Sequence, residues 1–303
     1  MTTKVLGGYT FTLTPNVDGV LVRLEGEPSV FDPVATPSPP ADGFVQYCKN
    51  VAGRRLPSFL GPSNFENFFQ PSMFASRILQ WLPGNSTTVS IAYGDTWTAR
   101  NSGTSAAQSH PTRSTTNLMT YIKRALFGTG TSTTGASGVQ STNIAAFRGN
   151  AAGIGGFFYH SRFGIETFQA AMRVFNGLSA NNATMNSEPS TWANTIGIGK
   201  DSTDTNWQII SRNASAVTKL NTGIACTAGV VLDFFMFCKA NDTQVTVRLV
   251  NVGTGAVLLD NTVVNSNLPV NTVGMYAQNH NQSTSGTTAK GLALANIYLE
   301  SDN

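Results

Sequence analysis

The chain has 303 residues, enough to bury a sizeable core without disulfides, and its 41% hydrophobic and 10% aromatic content excludes an intrinsically disordered polymer. Only 12% of its residues are charged, against roughly 25% in an ordinary soluble domain, so Ser, Thr, Asn and Gly must carry its solubility. The net charge of +3 is scattered, with Arg54-Arg55 and Lys123-Arg124 the densest basic pairs, which excludes the concentrated basic stripe of a nucleic-acid-binding face.

Tyr9, Phe11 and Leu13 alternate with Thr10, Thr12 and Thr14, the period of a half-buried strand, and residues 20–24 form a second strand after a turn at 15–19. A lone hairpin is marginal in water, so this one is expected to rest on another chain or on the main body. Pro33, Pro37, Pro39 and Pro40 make residues 32–43 a semi-rigid spacer. Residues 1–43 are therefore an attachment hairpin and spacer. Residues 44–83, broken by Pro57, Pro62 and Pro71, are a collar or interface segment in which 65–69 and 73–81 are short helices or buried strands.

From residue 84 to 303, short apolar runs alternate with turns rich in Gly, Asn, Asp and Ser. Strands are expected at 89–93, 96–100, 156–163, 172–178, 195–198, 207–212 and 231–239. A hairpin follows, with arms at 244–251 and 256–260 joined through Gly253 and Gly255, then strands at 273–278 and 291–299. The last of these is expected to be locked into a sheet. Residues 117–127 are either a helix or a strand. Some ten short strands at this spacing predict a mainly β chain, an antiparallel β-sandwich or jelly roll.

Chemistry is sparse. Cys48, Cys226 and Cys238 are odd in number without CxxC spacing, which predicts free thiols and synthesis in a reducing compartment. Residues 1–8 lack the apolar stretch of a signal peptide, and no run approaches the ~20 apolar residues of a membrane span, so neither export nor membrane insertion is expected. His110, His160 and His280 have no partner at helical spacing, so no metal site and no cofactor is expected. Asp201 and Asp204 bring hard oxygens to one loop, but without EF-hand spacing they predict a turn. The glycine-rich residues 149–156 run straight into an aromatic strand, which leaves no helix N-terminus to hold a phosphate. No GxSxG elbow is present, and nothing pairs Asp233, Glu166, Asp260 or Glu188 as glycosidase carboxylates. The chain is therefore expected not to be an enzyme.

Trp97, Trp192 and Trp207 are candidates for stacking on sugar rings. Trp207 opens an apolar strand and is expected in the core. Trp192, in the polar loop of residues 188–194 with Asn194 beside it, is expected at the surface, and Trp192, Asn194 and Trp97 are the expected glycan contacts.

The segments GFFYHSRFG (156–164), RVFNGLS (173–179) and IGIGKDSTDTNWQ (196–208) resemble a family of bacteriophage virion proteins of the tail-fibre or appendage type. DFFMFCKAND (233–242), VTVRLV (245–250) and IYLESDN (297–303) fit the same pattern, with a weaker echo in AGRRLPSFLGP (52–62). The resemblance covers about residues 145–303 and implies a lectin-like β-sandwich, commonly trimeric, mounted on a virion. Residues 84–303 are therefore expected to be that sandwich, attached through the N-terminal region and presented to a host-surface glycan. It transfers no catalytic residue. An architectural capsid-decoration or head/tail-associated role is the alternative, and a glycan depolymerase the less favoured one.

Overall fold

The structure is a computed structural model describing residues 2–6, 9–16, 19–25, 35–41, 44–60, 66–68, 77–84, 91–103, 107–131, 133–151, 154–182, 186–284 and 290–301. Its strands begin with β1 (Thr2–Leu6), β2 (Tyr9–Asn16), β3 (Gly19–Glu25), β4 (Val45–Val51), β5 (Arg54–Leu60), β6 (Glu66–Phe68), β7 (Arg77–Leu82), β8 (Ile91–Tyr93), β9 (Trp97–Ala99) and β10 (Ala107–Ser109). One helical turn, α1 (Leu118–Tyr121), precedes β11 (Ala125–Gly128), β12 (Ala136–Ser141), β13 (Phe157–Thr167) and β14 (Arg173–Ser179). A 3-10 turn (Pro189–Thr191) leads to β15 (Thr195–Lys200), β16 (Asn206–Arg212), β17 (Val217–Ala225), β18 (Leu232–Cys238), β19 (Val245–Asn251), β20 (Val257–Val264), β21 (Tyr276–Gln282) and β22 (Gly291–Ser301).

The chain divides into two compact units, a smaller one of Met1–Lys49 and Pro57–Phe68 and a larger one of Asn50–Leu56 and Phe69–Asn303. In the smaller unit the expected hairpin is present as β2–β3, in register from Thr10↔Glu25 to Asn16↔Gly19. β1 adds to it as a third antiparallel strand. β4, β5 and β6 form a second three-stranded sheet. Residues 35–41 of the proline-rich segment carry neither helix nor strand, and its residues 32–34 and 42–43, Pro33 among them, lie outside the described residues.

The larger unit is an antiparallel β-sandwich, as expected. One sheet has nine strands, ordered β10-β11-β22-β13-β18-β19-β20 with β7 and β8 joined through β22; the other has seven, ordered β17-β16-β15-β14-β21-β12-β9. The sandwich starts before residue 84, because β7 pairs with β22 from Arg77↔Ser301 to Trp81↔Ile297. β22 is indeed locked in, with β13 on one side and β11 and β7 end to end on the other. Leu292, Leu294, Ile297 and Leu299 of β22 all enter the core, which requires one extra residue after Leu294. Ala295 is that residue, since Phe163 pairs with Leu294 and Arg162 with Asn296 across a bulge.

Alternation places one face of each sheet between the layers. Tyr159, Phe163 and Ile165 of β13 and Phe234 and Met236 of β18 meet Val174, Leu178, Ile196, Ile198 and Ile209 of the other sheet. Trp207 packs edge-on against Phe163 at 5.5 Å and 88°, in the core as expected. The Tyr159 hydroxyl donates to Asn176 Oδ1 across the layers, and burial pushes its pKa above the usual tyrosine value. All three cysteines are free and buried. Burial pushes the Cys238 thiol up to about 11 and Cys226 to about 12, which makes both poor nucleophiles.

Candidate functional site

The expected glycan contacts do not form one surface. The 3-10 turn at Pro189–Thr191 lays Trp192 against the outer side of the seven-stranded sheet. Its ring meets Phe175 edge-on at 5.2 Å and His280 at 5.7 Å, its Nε1 donates to Ser187 Oγ at 2.9 Å, and only 2% of the residue is exposed. The expectation of a surface tryptophan is thus corrected. Gly177 and Gly197 pair across β14 and β15 without side chains, and a Cβ on Gly197 would sit 2.9 Å from the tip of the Phe175 ring. The ring lies in that hollow and Trp192 closes over it. Asn194 is also buried, in a left-handed turn (φ 51°), where its Oδ1 accepts from the Val270 amide at 2.9 Å. Trp97 packs half-buried against the core on the opposite face of this sheet.

Each carboxylate weighed from sequence is held by its own arginine. Glu166 pairs with Arg124, Glu188 with Arg173, Asp233 with Arg162 and Asp260 with Arg248. The Asp201–Asp204 loop is a turn closed by the Asp204 amide on the Asp201 carbonyl. Lys219 Nζ stands 2.8 Å from Asp201 and 2.6 Å from Asp204, where a cation would need to be. Among the described residues no group of three or more His, Cys, Asp or Glu converges on a metal position. Gly156 runs directly into β13, as expected of the glycine-rich stretch.

The outer face of the nine-stranded sheet carries a richer arrangement. β13 and β18 pair so that Phe158 faces Phe237, His160 faces Phe235 and Arg162 faces Asp233, all pointing away from the core. His160 stacks on Phe235 with centroids 4.5 Å apart, and its Nε2 lies 3.2 Å from Asp233 Oδ1. Arg162 grips Asp233 with two bonds of 2.8 and 2.7 Å. Burial alone raises the Asp233 pKa, but hydrogen bonds from Arg162 and His160 outweigh it and hold the carboxyl at about 2.

At the end of this row the Arg54 guanidinium sits 4.7 Å above the Phe158 ring, close enough for a cation–π contact, and pairs with Glu300. The Tyr298 hydroxyl donates to the same carboxylate. Together Arg54, Phe158, Phe237, Lys239 and Glu300 line a cleft of about 270 Å³. Arg54 Nη1 is buried there with no hydrogen-bond partner among the described residues.

No protein-family model matches the chain, and no curated protein matches it. Among solved structures, a protein of unknown function from Shewanella oneidensis MR-1 superposes with a TM-score of 0.53 at 10% identity, covering 77% of this chain and 90% of that one. Peanut lectin follows at 0.48 and 9% identity, over 75% and 98% of the two chains. A conserved carbohydrate esterase from the Shiga toxin-encoding bacteriophage phi24B gives 0.39 and 16% identity, over 74% and 98%. At these identities the likeness is one of fold alone, and it rests on the first of the three.

Proposed function

We propose that the chain is a non-enzymatic adhesion protein whose larger unit binds a surface glycan through the cleft at Arg54, Phe158, Phe237 and Glu300. One observation carries this reading: a row of outward rings, Phe158, Phe237 and Phe235, interleaved with Arg54, Glu300, His160, Asp233 and Arg162. A sugar offers an apolar ring face and a rim of hydroxyls. A half-buried phenyl ring such as Phe237 suits the first, and planar charged groups with fixed donors and acceptors suit the second. The carrier is proposed to be a bacteriophage virion, in which this chain is a trimeric tail-fibre or appendage subunit attached by its N-terminal region. The sequence resemblance and the low charge density, which suits surfaces packed into an assembly, support that placement.

The test is a panel of bacterial surface saccharides presented to the purified full-length chain, to Phe237→Ala and to Arg54→Lys. Wild type is expected to select a subset of the panel. Phe237→Ala removes a half-buried ring and Arg54→Lys removes the planar fork, and each is expected to weaken binding by about tenfold while leaving the fold intact. Equal binding by wild type and both variants would sink the proposal, as would release of new reducing ends from the bound saccharide.

A further inference from the structure

β7 and β11 share one edge of β22, and they meet end to start: β7 reaches Ile297 through Trp81, and β11 begins opposite Leu294 with Ala125. The β22 bulge at Ala295 falls between them. Two strands abutting on one edge leave their connecting segments splayed, and a notch of about 310 Å³ opens there, lined by Gly84, His110, Pro111, Arg113, Lys123 and Arg124. Among the described residues its lining contains no acidic side chain. Arg124 is tied down, with Nη1 on the Thr120 carbonyl at 2.9 Å and Nη2 on Glu166 at 3.0 Å. That anchorage fixes the segment and leaves Lys123 exposed beside it. Lys123 and Arg113 make no ion pair or hydrogen bond with any described residue.

His110 supplies the second line of evidence. Its Nε2 lies 3.1 Å from Gln108 Nε2; with that amide nitrogen donating, the imidazole accepts there and carries its proton on Nδ1. Nδ1 is buried and has no partner among the described residues. The notch therefore joins an unused imidazole N–H to two unneutralised cations. A buried polar atom without a partner is costly, and an oxyanion drawn into the notch would meet the two cations of its lining beside it.

We propose that this notch is an oxyanion subsite that takes one carboxylate or phosphate group of an acidic surface polysaccharide. This deepens the adhesion reading and rests on it for the polymer, though not for the anion site itself. A nucleic-acid strand is disfavoured, because its affinity comes from many phosphates neutralised in series, and here a single group-sized notch stands without a basic stripe on either side.

The experiment uses the full chain and two small probes, glucuronate and inorganic phosphate, followed by the ring signals of His110 in NMR spectra. At least one probe is expected to shift those signals saturably, and the one that saturates at lower concentration identifies the anion as uronate or phosphate. The double variant Lys123→Ala/Arg113→Ala, both at exposed positions, is expected to lose that shift. It is also expected to bind an acidic polysaccharide about tenfold more weakly at low salt while keeping wild-type affinity for neutral saccharides. His110→Asn, which keeps a side-chain N–H, should bind better than His110→Phe. No shift with either probe, or equal acidic-saccharide binding by the double variant, overturns the proposal. So does single-stranded DNA binding lost in the double variant without any effect on acidic saccharide. A probe that shifts His110 in a protein that binds no saccharide at all would sink the adhesion reading and leave the anion site standing.

Discussion

Trp81→Ala is expected to lower the stability of the larger unit by about 3–5 kcal/mol, the usual cost of truncating a fully buried aromatic. Trp81 is 0% exposed and lies against Phe127 with ring centroids 6.2 Å apart, while its backbone pairs with Ile297 in the central strand. The loss converts to a fall in Tm of roughly 6–20 °C for a unit of this size. Trp81→Phe should behave quite differently. The indole Nε1 is buried with no partner among the described residues, so the shorter ring removes an orphaned donor while keeping most of the packing. Its net effect is expected within about 1 kcal/mol, because relief of the unpaired donor offsets the small cavity. Thermal unfolding of the three proteins checks both expectations. An alanine variant as stable as wild type would mean that residues 77–82 lie outside the core.

Asp233→Ala is the second large effect. It removes the carboxylate that holds both Arg162 and His160, leaving two cationic or polar groups without their acceptor. The cost is expected at about 2 kcal/mol, below the range for fully buried pairs because the Arg162 side chain remains 37% exposed. The same site sets a pH dependence. The Asp233 carboxyl has its pKa lowered from 3.8 to about 2 in the folded chain, so its stabilisation is fully present above 3.8. It fades as pH falls from about 4 towards about 2, because only the unfolded chain takes up a proton over that interval. Asp233→Asn should therefore be less stable at neutral pH and show a shallower loss between those values. An unaltered slope in Tm against pH would remove Asp233 as its source.

Legibility followed alternation and turn chemistry. The β19–β20 hairpin was evident from its arms, and its turn is closed as such turns are, with Asn251 Oδ1 accepting from the Gly253 amide and Gly255 at φ 69°. Residues 117–127 looked like helix or strand because they are both: the Asn117/Thr120 capping box closes the single turn α1, and β11 begins four residues later. β12 was not visible. Its sequence, ASGVQS, is small and polar, yet every residue is buried between β9 and β21. A Cβ on Gly138 would lie 2.4 Å from the Asn279 carbonyl oxygen, so close approach of chains, not hydrophobicity, selects its residues. β17 was missed for the opposite reason, as an edge strand of mostly exposed, mixed residues.

The candidate site was less legible than the fold. A tryptophan in a polar loop suggested exposure, but exposure depends on what the loop covers, and the Phe175 hollow is formed by glycines from two distant segments. Conversely, Phe158 and Phe237 sit in apolar runs, which mark neither ring as outward-facing. Only the pairing register of β13 and β18 shows that they share the outer side with Arg162 and Asp233. Arg54, brought from a hairpin tip about a hundred residues away in sequence, had no sequence signal beyond its neighbour Arg55.

The most direct measurement labels the phenylalanine rings of the full-length chain and follows them by NMR during titration with the best saccharide of the panel. The expected result is saturable movement of the Phe158 and Phe237 signals, with the midpoint moved to about tenfold higher saccharide by Arg54→Lys. Movement confined to rings elsewhere in the sandwich, with Phe158 and Phe237 still, would place saccharide binding away from the cleft and contradict its assignment as the adhesive surface.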